Sequence, residues 1–167
     1  MTQPNSLLDL DLDLDLDLDR QLCFALYSAS LAMTKAYKPM LAALGLTYPQ
    51  YLVMLALWQH GSQRVGELGE RLGLDSGTLT PLAKRLQALG LIERKRSDID
   101  ERQVEISLTA AGKKLRARAE PIPMCVAQLT GCQLPQLESL MRELKDLRNQ
   151  LAAALPAAAT FLSQPTQ

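Results

Sequence analysis

The feature that most constrains the fold is a change of hydrophobic periodicity in the middle of the chain. Residues 64–72 and 75–90 carry apolar side chains at helical spacing, with a turn of three or four residues between them. Residues 91–96 and 103–108 then alternate apolar and polar side chains, as the strands of a half-buried hairpin do. Two short helices joined by a tight turn and followed by a β-hairpin are typical of a winged helix-turn-helix.

Helix-prone segments flank this unit on both sides. From residue 19 to residue 44, apolar side chains recur at helical spacing, and Pro39 is expected to kink or interrupt that helix. Thr109 is expected to cap another helix, and residues 134–155 form a last amphipathic one. Because these helices exceed what one winged helix-turn-helix needs, we expect their apolar faces to be buried in a homodimer. The predicted fold class is mainly α with a small β-hairpin wing, in a dimeric architecture.

Both ends of the chain are expected to lie outside this domain. Residues 8–19 repeat Leu-Asp six times, and although strict alternation is a strand pattern, Asp disfavours strands. We therefore expect residues 1–18 to be a disordered low-complexity tail and residues 156–167 to be a flexible C-terminal tail. The domain itself then covers residues 19–155. Its predicted parts are a winged-helix lobe at 47–108 and dimerisation helices at 19–46 and 109–155.

The formal net charge of zero hides an asymmetry. Residues 1–19 contain six Asp and no Lys or Arg, so the rest of the chain has 18 basic against 12 acidic side chains, a net charge of +6. A mildly basic body can neutralise phosphates, because the local placement of charge decides such binding. No apolar run reaches the roughly 20 residues of a membrane span, and no secretory leader opens the sequence. We expect a cytoplasmic protein without a membrane partner.

The three cysteines, Cys23, Cys125 and Cys132, form no recognisable structural pattern. Their number is too small, and odd, for the disulfide framework of a secreted protein. Their spacing fits no zinc site and His60 is the only histidine, so we expect neither a metal nor a cofactor. In a reducing compartment such cysteines are more often inert core residues than redox centres. Cysteine count alone favours the inert interpretation.

The second helix of the central pair, capped by Asp75 or Ser76, carries polar side chains on faces away from its leucines. These polar side chains are Ser76, Thr78, Thr80, Lys84 and Arg85. Short hydroxyls and basic groups suit a helix that lies in the major groove of DNA, where it contacts base edges and phosphates. This helix is therefore predicted to bind DNA.

The hairpin concentrates arginines, with Arg94 and Arg96 in its first strand and Arg102 at the start of its second. Arginine is attracted by the negative potential of a narrow minor groove, which the tip of a wing can enter. The alternative is a solvated charged hairpin, and the arginines alone do not decide between the two. Their position directly after a helix-turn-helix favours DNA. Asp100 is expected to orient Arg102 rather than to repel phosphate.

These segments together resemble the MarR family of winged helix-turn-helix regulators. The matching segments are DSGTLTPL at 75–82, KRL at 84–86, GLI at 90–92 and DERQV at 100–104. The Asp-x-Arg wing is a mark of the whole family, whereas the first segment is similar to that of its organic hydroperoxide-sensing members, the OhrR group. The resemblance extends from about residue 19 to residue 151 and implies a dimeric repressor of operator DNA.

The segment 21–28, QLCFALYS, also resembles the OhrR signature. The resemblance implies that Cys23 is the peroxide-reactive thiolate, that Tyr37 and Tyr48 hydrogen-bond to it, and that Tyr27 lies nearby. The chemistry agrees, because an ordinary thiol is only a few per cent thiolate at neutral pH. A tyrosine hydroxyl that donates to sulfur favours the thiolate without adding a negative charge.

Helix geometry restricts how this set can assemble. Cys23 and Tyr37 are fourteen residues apart in one predicted helix, which is about 21 Å at about 1.5 Å per residue. One straight helix cannot bring them together, whereas a partner subunit whose equivalent helix crosses this one can. The resemblance implies the same arrangement, in which the tyrosines come from the other subunit.

In two-cysteine members of the group, the resemblance implies that a cysteine near the partner's C-terminus resolves the oxidised thiol. Gln128 stands at the position expected for that cysteine, so the candidates are Cys132, slightly ahead, and Cys125. A bond between these two is disfavoured, because about 10 Å of helix separates them and a disulfide needs Cα atoms within about 7 Å. The remaining alternative is that a small thiol caps Cys23.

The resemblance thus implies a repressor that binds palindromic double-stranded operator DNA as a reduced homodimer and is released when organic hydroperoxides oxidise Cys23. The first alternative is a MarR-type regulator that responds to a phenolic or drug-like ligand, which needs no Cys23–Tyr37–Tyr48 set. The second is a thiol peroxidase. The sequence has no thioredoxin-like βαβ pattern, and the helix-turn-helix would then have no purpose, so we do not expect an enzyme.

Overall fold

The computed structural model describes residues 17–96 and 103–161, with side chains up to residue 155. The Leu-Asp repeat up to residue 16, the hairpin tip with Asp100 and Arg102, and residues 162–167 lie outside the described residues. The chain divides into two compact units, residues 1–120 and residues 121–167. No helix among the described residues is long and apolar enough to cross a membrane.

The first unit contains five helices and three strands among its described residues. In chain order they are α1 (Leu22–Ala42), α2 (Tyr48–His60), β1 (Gln63–Arg64), α3 (Val65–Leu72), α4 (Ser76–Ala88), β2 (Ile92–Arg96), β3 (Val104–Leu108) and α5 (Ala110–Ala119). A 3₁₀ turn, Leu18–Arg20, precedes α1. The order of helices and strands confirms the predicted mainly α fold with a wing.

Helix α1 is continuous from Leu22 to Ala42, so Pro39 does not interrupt it. A proline in the last turn of a helix removes one amide donor and has little helix left to distort. The helix ends where Gly45 adopts a φ of 71°, and the amide of Leu46 donates to the carbonyl oxygen of Leu41 at 3.0 Å. Helix α1 is therefore one continuous helix that carries both Cys23 and Tyr37.

Helix α2 lies at the centre of the core. Its buried side chains include Tyr51, Val53, Met54, Ala56 and Leu57. They share the core with buried leucines and isoleucines of α3, α4 and the sheet: Leu68, Leu79, Leu86, Ile92 and Ile106. Each such side chain contributes about 1.5–3 kcal/mol when it leaves water. The lobe that carries α4 is thus held to α2 by apolar burial.

The wing is a three-stranded antiparallel sheet in the order β1-β3-β2. The sequence predicted only the hairpin of β2 and β3 and missed β1. Strand β1 is two residues long, too short for an alternating pattern, and Gln63 pairs with Ile106. Gln63 is buried, and its amide nitrogen donates to the carbonyl oxygen of Ala56 at 3.1 Å. Its amide oxygen accepts from Nε of Arg71 at 3.1 Å. This side chain links α2, α3 and the sheet.

The first turn of α5 is fixed to the connection between α4 and β2. The amide of Thr109 donates to the carbonyl oxygen of Leu91 at 3.1 Å. The hydroxyl of Thr109 donates to the carbonyl oxygen of Gly90 at 2.6 Å. The same hydroxyl accepts from the amide of Gly112 at 3.0 Å and so caps α5 as predicted. Gly112 is buried, and a Cβ atom there would overlap the carbonyl oxygen of Leu91.

The second unit consists of α6 (Ile122–Leu129) and α7 (Leu134–Phe161) in its described part. Helix α6 begins directly after Pro121. A turn at Gly131, with a φ of 69°, leads into α7. Helix α7 extends to Phe161, beyond residue 156, where the flexible tail was predicted to start. Its leucines recur three and four residues apart, at 137, 140, 144, 147 and 151.

Replacement of Gly112 by alanine is expected to destabilise the protein by about 1–3 kcal/mol, because the new methyl group must displace the backbone of Leu91. The free energy of unfolding, measured by urea denaturation, checks this. Gly66→Ala is the matched control, since Gly66 is an exposed helical residue with nothing within 4 Å of its Cβ position. That control should be neutral or stabilising by about 0.5–1 kcal/mol. Equal stabilities of the two variants would contradict the tight junction.

Candidate nucleic-acid interface and thiol site

Helix α4 presents most of its predicted DNA-binding residues to solvent. Ser76, Thr78, Lys84 and Arg85 are exposed, and Thr80 is half-buried. The opposite side of the helix is buried through Leu79, Ala83 and Leu86. With 3.6 residues per turn, Thr78, Lys84 and Arg85 share the arc opposite those apolar residues, whereas Thr80 lies at its margin. Pro81 lies within α4 and is itself exposed on this arc.

The start of α4 is held by Asp75. One carboxylate oxygen accepts from the amide of Thr78 at 2.7 Å, and the other accepts from its hydroxyl at 3.2 Å. These bonds, first the backbone amide and then the hydroxyl, lower the pKa of Asp75. Because the Thr78 proton is engaged by Asp75, the lone pairs of this hydroxyl remain available to accept a hydrogen bond from a base.

The described arginines of the wing differ in orientation. Strand β2 buries Ile92, and Arg94 lies on the same face of the strand, half-buried, opposite Ile106 in the register. Its Nε atom is buried and has no hydrogen-bond partner among the described residues. Arg96 and Lys95 are exposed. The Arg96 side chain is thus accessible to a DNA phosphate or groove. Of Arg94, only the end of the guanidinium group can reach DNA.

Three tyrosine rings form a cluster where the C-terminal part of α1 meets α2. The centroids of the Tyr37 and Tyr48 rings are 5.1 Å apart, and those of Tyr37 and Tyr51 are 5.7 Å apart. Tyr51 also contacts Trp58 edge-on, with centroids 6.3 Å apart. The structure therefore brings the predicted pair Tyr37 and Tyr48 together and adds Tyr51, which was not among the predicted site residues. The three-residue spacing of Tyr48 and Tyr51 was the available signal.

The phenols of this cluster remain protonated. Burial raises the pKa of Tyr48, and burial together with the neighbouring Tyr48 raises that of Tyr37. Burial, followed by the proximity of Tyr37 and Tyr48, raises the pKa of Tyr51 to about 12. Tyr51 is 1% exposed, and its buried hydroxyl has no hydrogen-bond partner in the part of the chain that the structure describes. At neutral pH, Tyr37 and Tyr48 are thus uncharged donors on half-buried side chains.

Cys23 and Tyr27 lie near the other end of α1. The Cys23 thiol is free and exposed, and Tyr27 is 61% exposed. Since α1 is continuous between Cys23 and Tyr37, the two residues are about 21 Å apart along the helix. Within one chain, Cys23 is therefore beyond the reach of the Tyr37 and Tyr48 hydroxyls.

The two candidate resolving cysteines are also free and exposed. Cys125 belongs to α6, whereas Cys132 follows the turn at Gly131. The amide of Cys132 donates to the Thr130 hydroxyl at 3.2 Å. None of the three thiols lies in the core of this chain, so the interpretation of them as core residues is wrong, and the reactivity of Cys23 stays a prediction. In residues 17–96 and 103–161, no group of three or more His, Cys, Asp or Glu side chains could hold a metal ion.

The sequence and fold match known regulators. Residues 35–118 match the family described as transcriptional regulator SarA/Rot. The organic hydroperoxide resistance transcriptional regulator of Bacillus subtilis (strain 168) is 50% identical over 133 residues, which cover 78% of this chain and 90% of that protein. The chain belongs to the MarR family of winged-helix transcriptional regulators. The predicted family and the prediction that this is not an enzyme are confirmed.

Solved structures of the same fold agree with this assignment. AbfR of Staphylococcus epidermidis is 36% identical and superposes with a TM-score of 0.69, covering 81% of this chain and 94% of that one. The structure of reduced AbfR bound to DNA is 33% identical with a TM-score of 0.66, over the same shares of the two chains. The chain is thus a DNA-binding regulator with a winged helix-turn-helix.

Removal of the Lys84 ammonium is expected to weaken binding to duplex DNA and to reduce the salt dependence of that binding. If Lys84 contacts one phosphate, the slope of log K against log salt should fall in magnitude by about 1 in Lys84→Ala. Fluorescence anisotropy with a labelled duplex, titrated at several salt concentrations, measures both quantities. Lys145→Ala, which removes an exposed charge from α7, is the matched control and should keep the wild-type slope. An unchanged slope in Lys84→Ala would remove Lys84 from the interface.

Proposed function

We propose that this MarR-family regulator is a repressor that binds operator DNA as a reduced homodimer and releases it when an organic hydroperoxide oxidises Cys23. It acts in the cytoplasm, where a regulator reaches chromosomal DNA. The observation that carries the proposal is the placement of an exposed thiol at one end of α1 and a pair of protonated phenols at the other. The 50% identity to the Bacillus regulator supports the class of inducer.

Exposed apolar side chains support the homodimer. On α1, Leu22, Tyr27, Leu31 and Met33 are exposed, and on α7 the exposed apolar side chains are Leu134, Leu140, Met141, Leu144, Leu151 and Leu155. Apolar surface of this extent on soluble proteins marks an interaction site. A two-fold axis pairs residue i of one subunit with residue j of the other, and j with i. If α1 crosses its copy in an antiparallel sense, each Cys23 meets the partner's tyrosine pair and two equivalent sites form.

Tyr37 and Tyr48 would then support the reactive form of Cys23. A thiol attacks a peroxide as the thiolate, and neutral hydroxyls that donate to sulfur stabilise this anion. The raised pKa values of Tyr37 and Tyr48 keep both phenols in the donor form. The neighbours of Cys23 in α1, Leu22, Phe24 and Leu26, are apolar and suit an organic substituent on the peroxide.

The reaction proceeds in two balanced steps. The Cys23 thiolate attacks the terminal oxygen of the hydroperoxide, an S–O bond forms as the O–O bond breaks, and the alkoxide leaves and takes up a proton as an alcohol. Cys23 loses two electrons and becomes a sulfenic acid. A second thiolate then attacks the Cys23 sulfur, an S–S bond forms, and hydroxide leaves and is protonated to water.

Cys132 of the partner subunit is the favoured second thiol. It is exposed and lies beside the turn between α6 and α7, whereas Cys125 is within α6. A disulfide requires its Cα atoms to approach within about 7 Å, and a residue at a turn reaches this geometry with less distortion than one inside a helix. Formation of the bond displaces the Tyr37 and Tyr48 contacts. The two α4 helices then no longer match half-sites one DNA turn, about 34 Å, apart.

Cys23→Ser is expected to bind operator DNA as the reduced wild type does and to remain bound after organic hydroperoxide treatment. The operator is a duplex selected from a random-sequence pool by the reduced protein, and anisotropy gives its affinity. The wild type should lose about 5–150-fold in affinity after oxidation. Cys125→Ser is the control and should respond like the wild type. Full release of Cys23→Ser by the hydroperoxide would exclude thiol sensing and leave the ligand-responsive alternative.

Treatment with one equivalent of organic hydroperoxide is expected to link the two subunits of the wild type through Cys23 and Cys132. Mass spectrometry of the non-reduced peptides and a non-reducing gel detect the bond. Cys132→Ser should lose the link, whereas Cys125→Ser should retain it. The opposite pattern would assign the role to Cys125, and a mixed disulfide with an added small thiol in all three proteins would exclude resolution by either cysteine.

A further inference from the structure

We propose that Trp58 is the positioning residue that couples the tyrosine cluster to α4 and the wing, by way of the first turn of α5. The inference rests on the proposed oxidation of Cys23 and concerns how that event reaches α4 and the wing. Trp58 belongs to neither the thiol site nor the predicted DNA surface. It lies near the end of α2, the helix that begins at Tyr48.

The first link joins the cluster to the indole ring. Tyr51 contacts Tyr37 on one side and Trp58 on the other, with ring centroids 5.7 Å and 6.3 Å away. The Tyr51 hydroxyl has no hydrogen-bond partner in the described chain, so ring packing alone fixes this side chain. Because protein interiors are close-packed, a displacement of the Tyr37 ring must be taken up by Tyr51 and by the indole beyond it.

The second link joins the indole to the first turn of α5, 54 residues further along the sequence. Nε1 of Trp58 donates to the carbonyl oxygen of Gly112 at 2.9 Å. The amide of the same glycine donates to the Thr109 hydroxyl at 3.0 Å, which in turn donates to the carbonyl oxygen of Gly90 at 2.6 Å. Gly90 follows α4 and precedes β2. These bonds connect Trp58 to the junction between the wing and α4, the helix that is predicted to bind DNA.

Two further contacts make this connection stiff. The backbone of Gly112 lies against Leu91 so closely that no side chain fits between them. At the other end of α5, Nη2 of Arg118 donates to the carbonyl oxygen of Ala43, directly after α1, at 2.6 Å. Helix α5 is therefore attached both to the end of the helix that carries Tyr37 and to the α4–wing junction. Movement at the first attachment is transmitted to the second.

The test is the response of Trp58→Phe to oxidation, measured in the full chain with the selected operator duplex. Phenylalanine keeps an aromatic ring at this half-buried position and loses the larger indole with its N–H donor. We expect the reduced variant to bind DNA within about threefold of the wild type and to form Cys23 sulfenic acid, trapped by a dimedone-type probe, at the wild-type rate. Its loss of affinity on oxidation should be at least about fivefold smaller than that of the wild type. Release equal to that of the wild type would overturn the inference.

A second pair of variants decides the matter if Trp58→Phe folds poorly. Thr109→Val removes the hydroxyl that bonds Gly112 and Gly90, and Thr109→Ser retains it. Thr109→Ser should release DNA on oxidation as the wild type does, and Thr109→Val should release it less, with Cys23 oxidised at the same rate in both. Equal release by the two variants would overturn the inference. Failure of the proposed function gives a different result, in which Cys23→Ser releases DNA or Cys23 of the wild type is not oxidised.

Intrinsic fluorescence gives a readout that a purely structural role would not change. Trp58 is the only tryptophan of the chain, so emission excited at a wavelength that tyrosine does not absorb reports on this position alone. Hydroperoxide should change the emission of the wild type at the rate of DNA release and leave that of Cys23→Ser unchanged. In Thr109→Val the emission should still change although release is reduced, because the break lies beyond the indole. A wild-type emission that stays constant during release would contradict the coupling.

Discussion

The continuous backbone of α1 sets the distance on which the proposed mechanism depends. Because α1 is continuous from Leu22 to Ala42, it holds Cys23 and Tyr37 about 21 Å apart, so the thiol and the phenols of one chain cannot form a site. The proposed site then requires a second copy of the chain, whose α1 places its tyrosine end beside the Cys23 end of the first. The same rigidity makes the helix useful as a sensor, because an event at either end alters the packing of two subunits.

The tyrosine cluster, α4 and the wing share one core. Helix α2 begins in the cluster at Tyr48 and packs its buried face against α3 and α4, so neither region can move without a change in the contacts of the other. Apolar burial explains why the parts cohere, but it is not directional. The directional contacts include those of Gln63 with α2 and α3. Others lie at α5, where Trp58, Thr109 and Arg118 bond to backbone carbonyls of three separate segments.

Features with local causes were predictable from sequence, and features with non-local causes were not. The turn between α3 and α4 and the cap of α5 at Thr109 depend on neighbouring residues, and the sequence predicts both. Strand β1 was missed because a two-residue strand has no periodicity of its own and exists only by pairing with β3. The inward orientation of Arg94 was missed for a related reason, since alternation shows that a strand has two faces but not which one the core covers.

The sequence by itself determined the family and the mainly α fold with a wing, because motifs and periodicity are properties of adjacent residues. It also predicts that α4 binds DNA and that Cys23, Tyr37 and Tyr48 act as a set. Only the tertiary structure decided that Tyr51 completes the aromatic cluster, that Cys23 lies apart from it within one chain, and that Trp58 meets Gly112. These are contacts between segments distant in sequence. They arise from the burial of whole helix faces, which no local pattern specifies.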